Sequence, residues 1–190
     1  MNINNIKTQK AEIRKEILGI LRSQDHASRS ERSRRIQDKF LSSDEYRASS
    51  VVMAYVSMGS EVDTYGIIEK ALEDGKKVAV PYIDTLDQAI IASELISIDD
   101  LVDGPYGIKE PKDGPARAIE LEEIELIMVP AIAFDRKNMR LGRGKGYYDR
   151  FLSDGRLSSS KRIGLAFSFQ VVDSLPSDPH DMPVTRVITD

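Results

Sequence analysis

The strongest constraint on how this chain can fold lies in residues 124–151, IELIMVPAIAFDRKNMRLGRGKGYYDRF. The stretch opens with the apolar run Leu126–Phe134. A run that is apolar at every position suits a strand buried on both faces, as in a sheet covered by helices on either side; a buried helix segment is also compatible with it. Five cations follow, Arg136, Lys137, Arg140, Arg143 and Lys145, and the last two interleave with Gly142, Gly144 and Gly146. Tyr147, Tyr148 and Asp149 come next. Glycines let backbone N–H groups approach a ligand and tolerate positive φ. Cations between them supply charge for an anion, tyrosines offer flat walls with polar tips, and a carboxylate beside a phosphate is a candidate Mg²⁺ ligand. The combination predicts a loop that holds a polyphosphate, although a solvated basic connector has the same composition. Two better-known phosphate motifs do not fit. A P-loop has Ser or Thr after its Gly-Lys pair, and here Gly146 follows Lys145. A dinucleotide fingerprint places G-x-G-x-x-G directly after the strand, whereas here G-x-G-x-G begins only at Gly142.

The rest of the chain supplies elements that can surround such a strand. Residues 5–23 carry Ile6, Ile13, Ile17, Ile20 and Leu21 at helical spacing. Lys10 and Arg14 lie one turn apart on that helix, where like charges repel by about 0.2–0.5 kcal/mol. An anion between them would reverse the sign; a solvated basic face is the plain alternative. Ser28-x-x-Glu31 has the form of a capping box ahead of the stripe Ile36, Phe40 and Leu41, with Arg32, Arg34 and Arg35 on a solvated face and His26 in an exposed connector. Residues 51–55 read as a buried strand and 64–74 as a helix, with Asp63 or Thr64 as N-cap and Gly75 just past its end. Glu61 falls between that strand's end and that helix's start, a position where ligands sit in open α/β sheets. Residues 77–83 and 89–95 predict an antiparallel pair, with Pro81 at an edge or bulge. Residues 98–120, rich in Gly and Pro, form a linker or a shaped wall on which Tyr106 could stack against a heterocycle. A short helix is expected from within 146–148 to Ser153, then strands over 162–167 and 185–189. His180 and Asp181 sit in a proline-flanked turn, but no nucleophile motif completes a triad with them.

This alternation predicts an α/β chain of three layers, with a mixed, mostly parallel sheet and helices on both faces. At 190 residues a single domain spanning 1–190 is expected. Net charge is −4 and cysteine is absent, so the basic loop is a local feature of an acidic molecule, and disulfides and thiolate metal sites are excluded. Residues 1–18 lack an apolar signal core, which points to the cytoplasm.

PAIAFD at 130–135 and RLGRGKGYYDRFL at 140–152 resemble the signature of the 5-formyltetrahydrofolate cyclo-ligase, or 5,10-methenyltetrahydrofolate synthetase, family. KAEIR at 10–14, SEVDT at 60–64, YGIKEP at 106–111 and PHD at 179–181 extend the resemblance over essentially the whole chain. The resemblance implies the same fold, and an enzyme that uses ATP and Mg²⁺ to cyclise 5-formyltetrahydrofolate to 5,10-methenyltetrahydrofolate. It implies Lys145, Arg143 and Arg14 in catalysis. ATP would be held by Lys10, Arg14, Arg140, Gly142, Arg143, Gly144, Lys145, Gly146, Tyr147 and Tyr148. The reduced folate would be held by Val56, Met58, Glu61, Tyr106, Tyr147 and Tyr148, and Mg²⁺ by Asp149 and Asp181. A monomer that binds neither nucleic acid nor membrane is expected. Two other classes share the loop: a sugar-phosphate or nucleotide enzyme of related α/β fold, and an RNA-binding module using 136–150. The second would show a steep salt dependence.

Overall fold

The structure is a computed structural model that describes residues 3–190. In chain order its helices and first strands are α1 (Ile3–Ser23), α2 (His26–Leu41), α3 (Asp44–Ala48), β1 (Val51–Met53), α4 (Tyr65–Glu73), β2 (Lys77–Asp84) and β3 (Ala89–Leu95). There follow β4 (Leu101–Asp103), β5 (Lys109–Pro111), β6 (Leu126–Val129), β7 (Ala133–Asp135), β8 (Arg140–Leu141) and α5 (Tyr147–Leu152). The chain finishes with β9 (Lys161–Ala166), β10 (Val171–Val172) and β11 (Arg186–Thr189). The main sheet runs β11-β9-β6-β1-β2-β3, parallel throughout except for the β2–β3 hairpin. This is the mixed, mostly parallel sheet expected.

Strand period two explains why the central runs are apolar at every position. In β6, Leu126 and Met128 face a core shared with Ile17 and Leu21 of α1, Ile36 and Phe40 of α2, and Ile67 and Ile68 of α4. Ile127 and Val129 face the other side, with Phe151 and Leu152 of α5 and Leu157. Both faces of the sheet are therefore covered, one by three long helices and the other by α5 and short 3₁₀ turns at 121–123 and 155–157. No helix among the described residues is long and apolar enough to cross a membrane.

Several sequence expectations change. The run 126–134 is two strands, because Pro130 has no N–H to continue the ladder. The chain leaves the main sheet there and re-pairs in a second sheet, β10-β7-β8. Residues 51–55 shorten to β1. Asp25, not Ser28, caps α2 by accepting from the Ser28 amide at 2.9 Å, so the capping-box reading fails and Ser28 lies inside the helix. The N-cap of α4 is Thr64, as one of the two expected candidates, but the side-chain bond comes from the other: Asp63 Oδ1 accepts from the Tyr65 amide at 2.9 Å, while the Thr64 hydroxyl donates to the Tyr55 carbonyl at 2.7 Å. Gly75 does follow α4 in the left-handed region, at φ +73. Ile20 is exposed, so the buried stripe of α1 runs through Lys10, Ile13, Arg14, Ile17 and Leu21. Pro81 lies beyond Ala79, the last β2 residue registered with β1, where its missing donor costs no bond to that neighbour.

Candidate active site

A cleft of 1040 Å³ opens beyond the carboxyl ends of β1 and β6, beside the end of β2. Each site residue named from the sequence lines it: Lys10, Arg14, Val56, Met58, Glu61, Tyr106, Arg140, Gly142, Arg143, Gly144, Lys145, Gly146, Tyr147, Tyr148, Asp149 and Asp181. Crevices outside the carboxyl ends of parallel strands are the usual ligand position in open α/β sheets.

The buried stripe of α1 explains how an N-terminal helix reaches this cleft. Ile17 and Leu21 hold it on the core, and one and two turns earlier the same stripe presents Arg14 and Lys10. The Arg14 Nε donates to the Gly142 carbonyl at 2.8 Å. Burial holds its pKa below the usual guanidinium range, with Asp181 opposing that shift. The Lys10 ammonium donates to Asp181 Oδ2 and lies 3.8 Å from Asp178. An anion thus does offset the repulsion between Lys10 and Arg14, and it is a carboxylate of the protein's own C-terminal turn.

The glycine loop leaves β8 already tethered. Asp135, which is buried, accepts from the amides of Lys137, Met139 and Leu175 and closes the β7–β8 turn. That turn sends Arg136 outward to an exposed pair with Asp173 at 2.8 Å, and neither Arg136 nor Lys137 lines the cleft. The cations of this segment therefore divide, with Arg140, Arg143 and Lys145 at the cleft. Gly144 (φ +96) and Gly146 (φ +71) occupy the left-handed region. At Gly146 a Cβ would also come within 2.9 Å of the Arg150 guanidinium, so loop path and side-chain packing both select glycine.

Ion pairs between different elements arrange the charges. Arg140, 2% exposed in its side chain, donates to Asp149 Oδ1 at 2.6 Å. The same oxygen accepts from the Met182 amide at 3.2 Å, which draws α5 against the turn carrying Asp181. Arg143 donates to Glu61 Oε1 at 2.7 Å, while Glu61 Oε2 accepts from the Met58 amide at 3.1 Å. Helix α2 holds that Glu61 loop: Arg29 donates to the Gly59 carbonyl, Gln37 to the Asp63 carbonyl, and the Ser33 hydroxyl accepts from the Asp63 amide. The Lys145 ammonium stands 3.2 Å from the centre of the Tyr106 ring, and the Tyr147 ring lies 6.4 Å from it. A hydrogen bond with Tyr147, with help from Lys145, holds the Tyr106 phenol below its usual range, and the same bond raises that of Tyr147.

Two buried polar atoms here lack a hydrogen-bond partner among the described residues, Arg140 Nε and the Tyr148 hydroxyl. Burial pushes the Tyr148 phenol upward, so it stays a neutral donor. An unsatisfied buried group costs about 1–3 kcal/mol, a cost that a ligand oxygen could offset. For a metal, the donor set is sparse: no group of three or more His, Cys, Asp or Glu able to hold one exists among the described residues. Among the described residues, Asp149 and Asp181 each engage one carboxylate oxygen in the bonds above and leave the other for a ligand. That fits Mg²⁺, which takes one or two carboxylates and fills its shell with water and substrate phosphate.

Sequence reasoning did not single out Lys7, Tyr55, Ile108 or Asp178 as lining residues. Lys7, three residues before Lys10 on α1, was the one with a readable spacing signal.

The chain is thus a protein of the α/β class with a mostly parallel sheet, and its cleft gathers a cationic glycine loop and two carboxylates, a set suited to a phosphate-bearing ligand. Comparison with known proteins makes this specific. The family model described as the 5-formyltetrahydrofolate cyclo-ligase family matches residues 6–190, and the chain belongs to that family. It is 31% identical to a probable 5-formyltetrahydrofolate cyclo-ligase of Caenorhabditis elegans, over 98% of this chain and 93% of that protein. It is 29% identical to the 5-formyltetrahydrofolate cyclo-ligase of Haemophilus influenzae, over 99% of each. The solved structure of the Aquifex aeolicus 5,10-methenyltetrahydrofolate synthetase superposes with a TM-score of 0.80 at 32% identity, covering 95% of this chain and 89% of that one.

Proposed function

We propose that the cleft carries out the ATP-dependent cyclisation of 5-formyltetrahydrofolate to 5,10-methenyltetrahydrofolate, releasing ADP and phosphate. The observation that carries this reading is the convergence of Lys10, Arg14, Arg140, Arg143 and Lys145 with Asp149 and Asp181 around one cavity, within a chain of this family. The formyl carbon is a weak electrophile and its oxygen a poor leaving group. Phosphorylating that oxygen solves both problems: N10 of the folate then attacks the carbon, and the oxygen departs with phosphate. No covalent enzyme intermediate is required, which suits a cleft without cysteine.

The residues then have work of two kinds. Lys145, Arg143 and Arg14 neutralise charge as it shifts on the transferred group, while Lys10, Arg140 and the backbone of Gly142, Gly144 and Gly146 hold the nucleotide phosphates. Val56 and Met58 line the folate side, Glu61 fixes its polar edge, and Tyr106, Tyr147 and Tyr148 wall the space between the two ligands. Asp149 and Asp181 would hold Mg²⁺, which shields phosphate charge when bound. Holding two ligands in register can remove roughly 7–11 kcal/mol of barrier, and phosphoryl transfer depends mainly on such positioning and charge.

The test is direct. Protein, 5-formyltetrahydrofolate and MgATP should yield the methenyl chromophore with one ADP per folate. ADP release without the chromophore would overturn the cyclisation step.

A further inference from the structure

Glu110 is a buried acid that the proposed reaction leaves unused. It occupies the middle of β5 and is 4% exposed. Its Oε1 accepts from the Ile83 amide of β2 at 2.7 Å, and burial raises its pKa above the usual carboxyl range. Gly104 presses on it from the other arm of the hairpin, where a Cβ would lie 2.5 Å from the carboxyl carbon. The carboxyl therefore packs against Gly104, where the turn begins, and ties β5 to the main sheet. Between those arms stands the turn that carries Tyr106. Tyr106 and Gly107 both adopt positive φ, +60 and +73. The turn closes through Ile108 N to the Pro105 carbonyl at 3.1 Å and Gly104 N to the Ile108 carbonyl at 2.8 Å. The ion pairs Lys109–Asp103 and Lys112–Asp100 on the same hairpin are solvent-accessible, and such pairs restrain little.

We infer that Glu110 is a positioning residue for the folate side of the cleft: by joining β5 to β2 it sets where the Tyr106 ring stands over Lys145 and Tyr147. The inference rests on the reading above, in which Tyr106 walls the folate.

Steady-state kinetics on the full chain separate the two. Glu110→Ala should raise KM for 5-formyltetrahydrofolate on the order of tenfold, less than the ~10²-fold that a misplacement of about 1 Å can cost, with KM for ATP little changed. Glu110→Gln keeps an oxygen for the Ile83 amide and should recover most of the loss. Gly104→Ala, allowed at φ −110, drives a methyl into the carboxyl and should give the same KM signature. It also serves if Glu110→Ala does not fold. In a Tyr106→Ala background, Glu110→Ala should add nothing further to KM for the folate. A merely structural role would lower melting temperature and kcat and leave both KM values in place, which overturns the inference. So would a full additional KM effect in the Tyr106→Ala background. If Tyr106→Ala alone leaves KM for the folate unchanged, the assignment of Tyr106 to the folate wall has failed, and the role of Glu110 falls with it.

Discussion

The two walls of the cleft are built on different physical terms. The charged wall draws Lys10 from α1, Arg140 from β8, Asp149 from α5 and Asp181 from the C-terminal turn, and each side chain is paired with one from a different element. Its anchors are mutual: Asp149 holds both Arg140 and the Met182 amide, and Asp181 both Lys10 and the Asp178 amide. The Tyr106 wall is a hairpin of two three-residue strands whose tip is 53% exposed and whose buried polar tie to β2 runs through Glu110. A wall of interlocked pairs resists displacement, and damage to one member leaves its partner buried and uncompensated. A wall held by apolar contacts of Leu101 and Ile108 and by one buried polar tie moves as a unit, and damage to that tie should show in the binding of one ligand.

The sharpest way to break this contrast is Lys145→Met. The Lys145 ammonium touches the exposed Tyr106 ring, so the fold should hold while turnover falls about 10²–10³-fold, as when a placed donor for developing charge is removed. Near-normal kcat with normal MgATP binding would show that Lys145, which stands between the two walls, does not act on the transferred group.

Asp149→Ala should come next, with a loss of stability as well as activity. Breaking a buried pair can cost about 3–5 kcal/mol, and Arg140 would be left unpaired. Asp181→Ala should destabilise less, because Asp178 remains near Lys10. Both should raise the Mg²⁺ concentration that gives half-maximal activity, and the double variant should lose less than the product of the single losses, since groups acting on one ion are not additive. Activity against free Mg²⁺ at fixed ATP reads this out. An unshifted curve for either single variant removes that carboxylate from the metal.

Glu61→Gln sharpens the boundary between the walls. Folate binding should weaken with ATP affinity little altered, as measured by titration calorimetry with each ligand. Because Glu61 pairs with Arg143, weakened ATP binding instead would assign the pair to the phosphate side.

The smallest effect concerns pH. Burial favours the neutral carboxyl of Glu110, so its contribution to stability is complete below the ordinary value of 4.5 and is lost as pH rises through the higher folded value. Glu110→Gln does not titrate. Its melting temperature relative to the natural chain should therefore climb as pH rises above that range, and a flat difference across pH would show that the carboxyl is not held neutral.

Much of this site was legible in the sequence because its signals are local. A glycine between cations, an aromatic pair after a glycine loop and a four-residue spacing on a helix can each be read within one turn or one strand. Two of the misses were themselves local, and the third came from the fold. Asp25 reaches the amide that the Ser28 reading left unserved, Pro130 splits an otherwise uniform run, and Glu110 looks like an ordinary charge in a polar hairpin until the fold buries it.

The alternation that buries β6 on both faces, the glycine loop and the cations in it are properties of the sequence alone, since periodicity and backbone freedom belong to neighbouring residues. The tertiary structure alone decided that Lys10 answers Asp181, that Arg140 takes Asp149 and Arg143 takes Glu61, and that Arg136 and Lys137 face away from the cleft. Charges choose partners by distance through space and by the water removed around them, and both quantities exist only once distant segments have packed together.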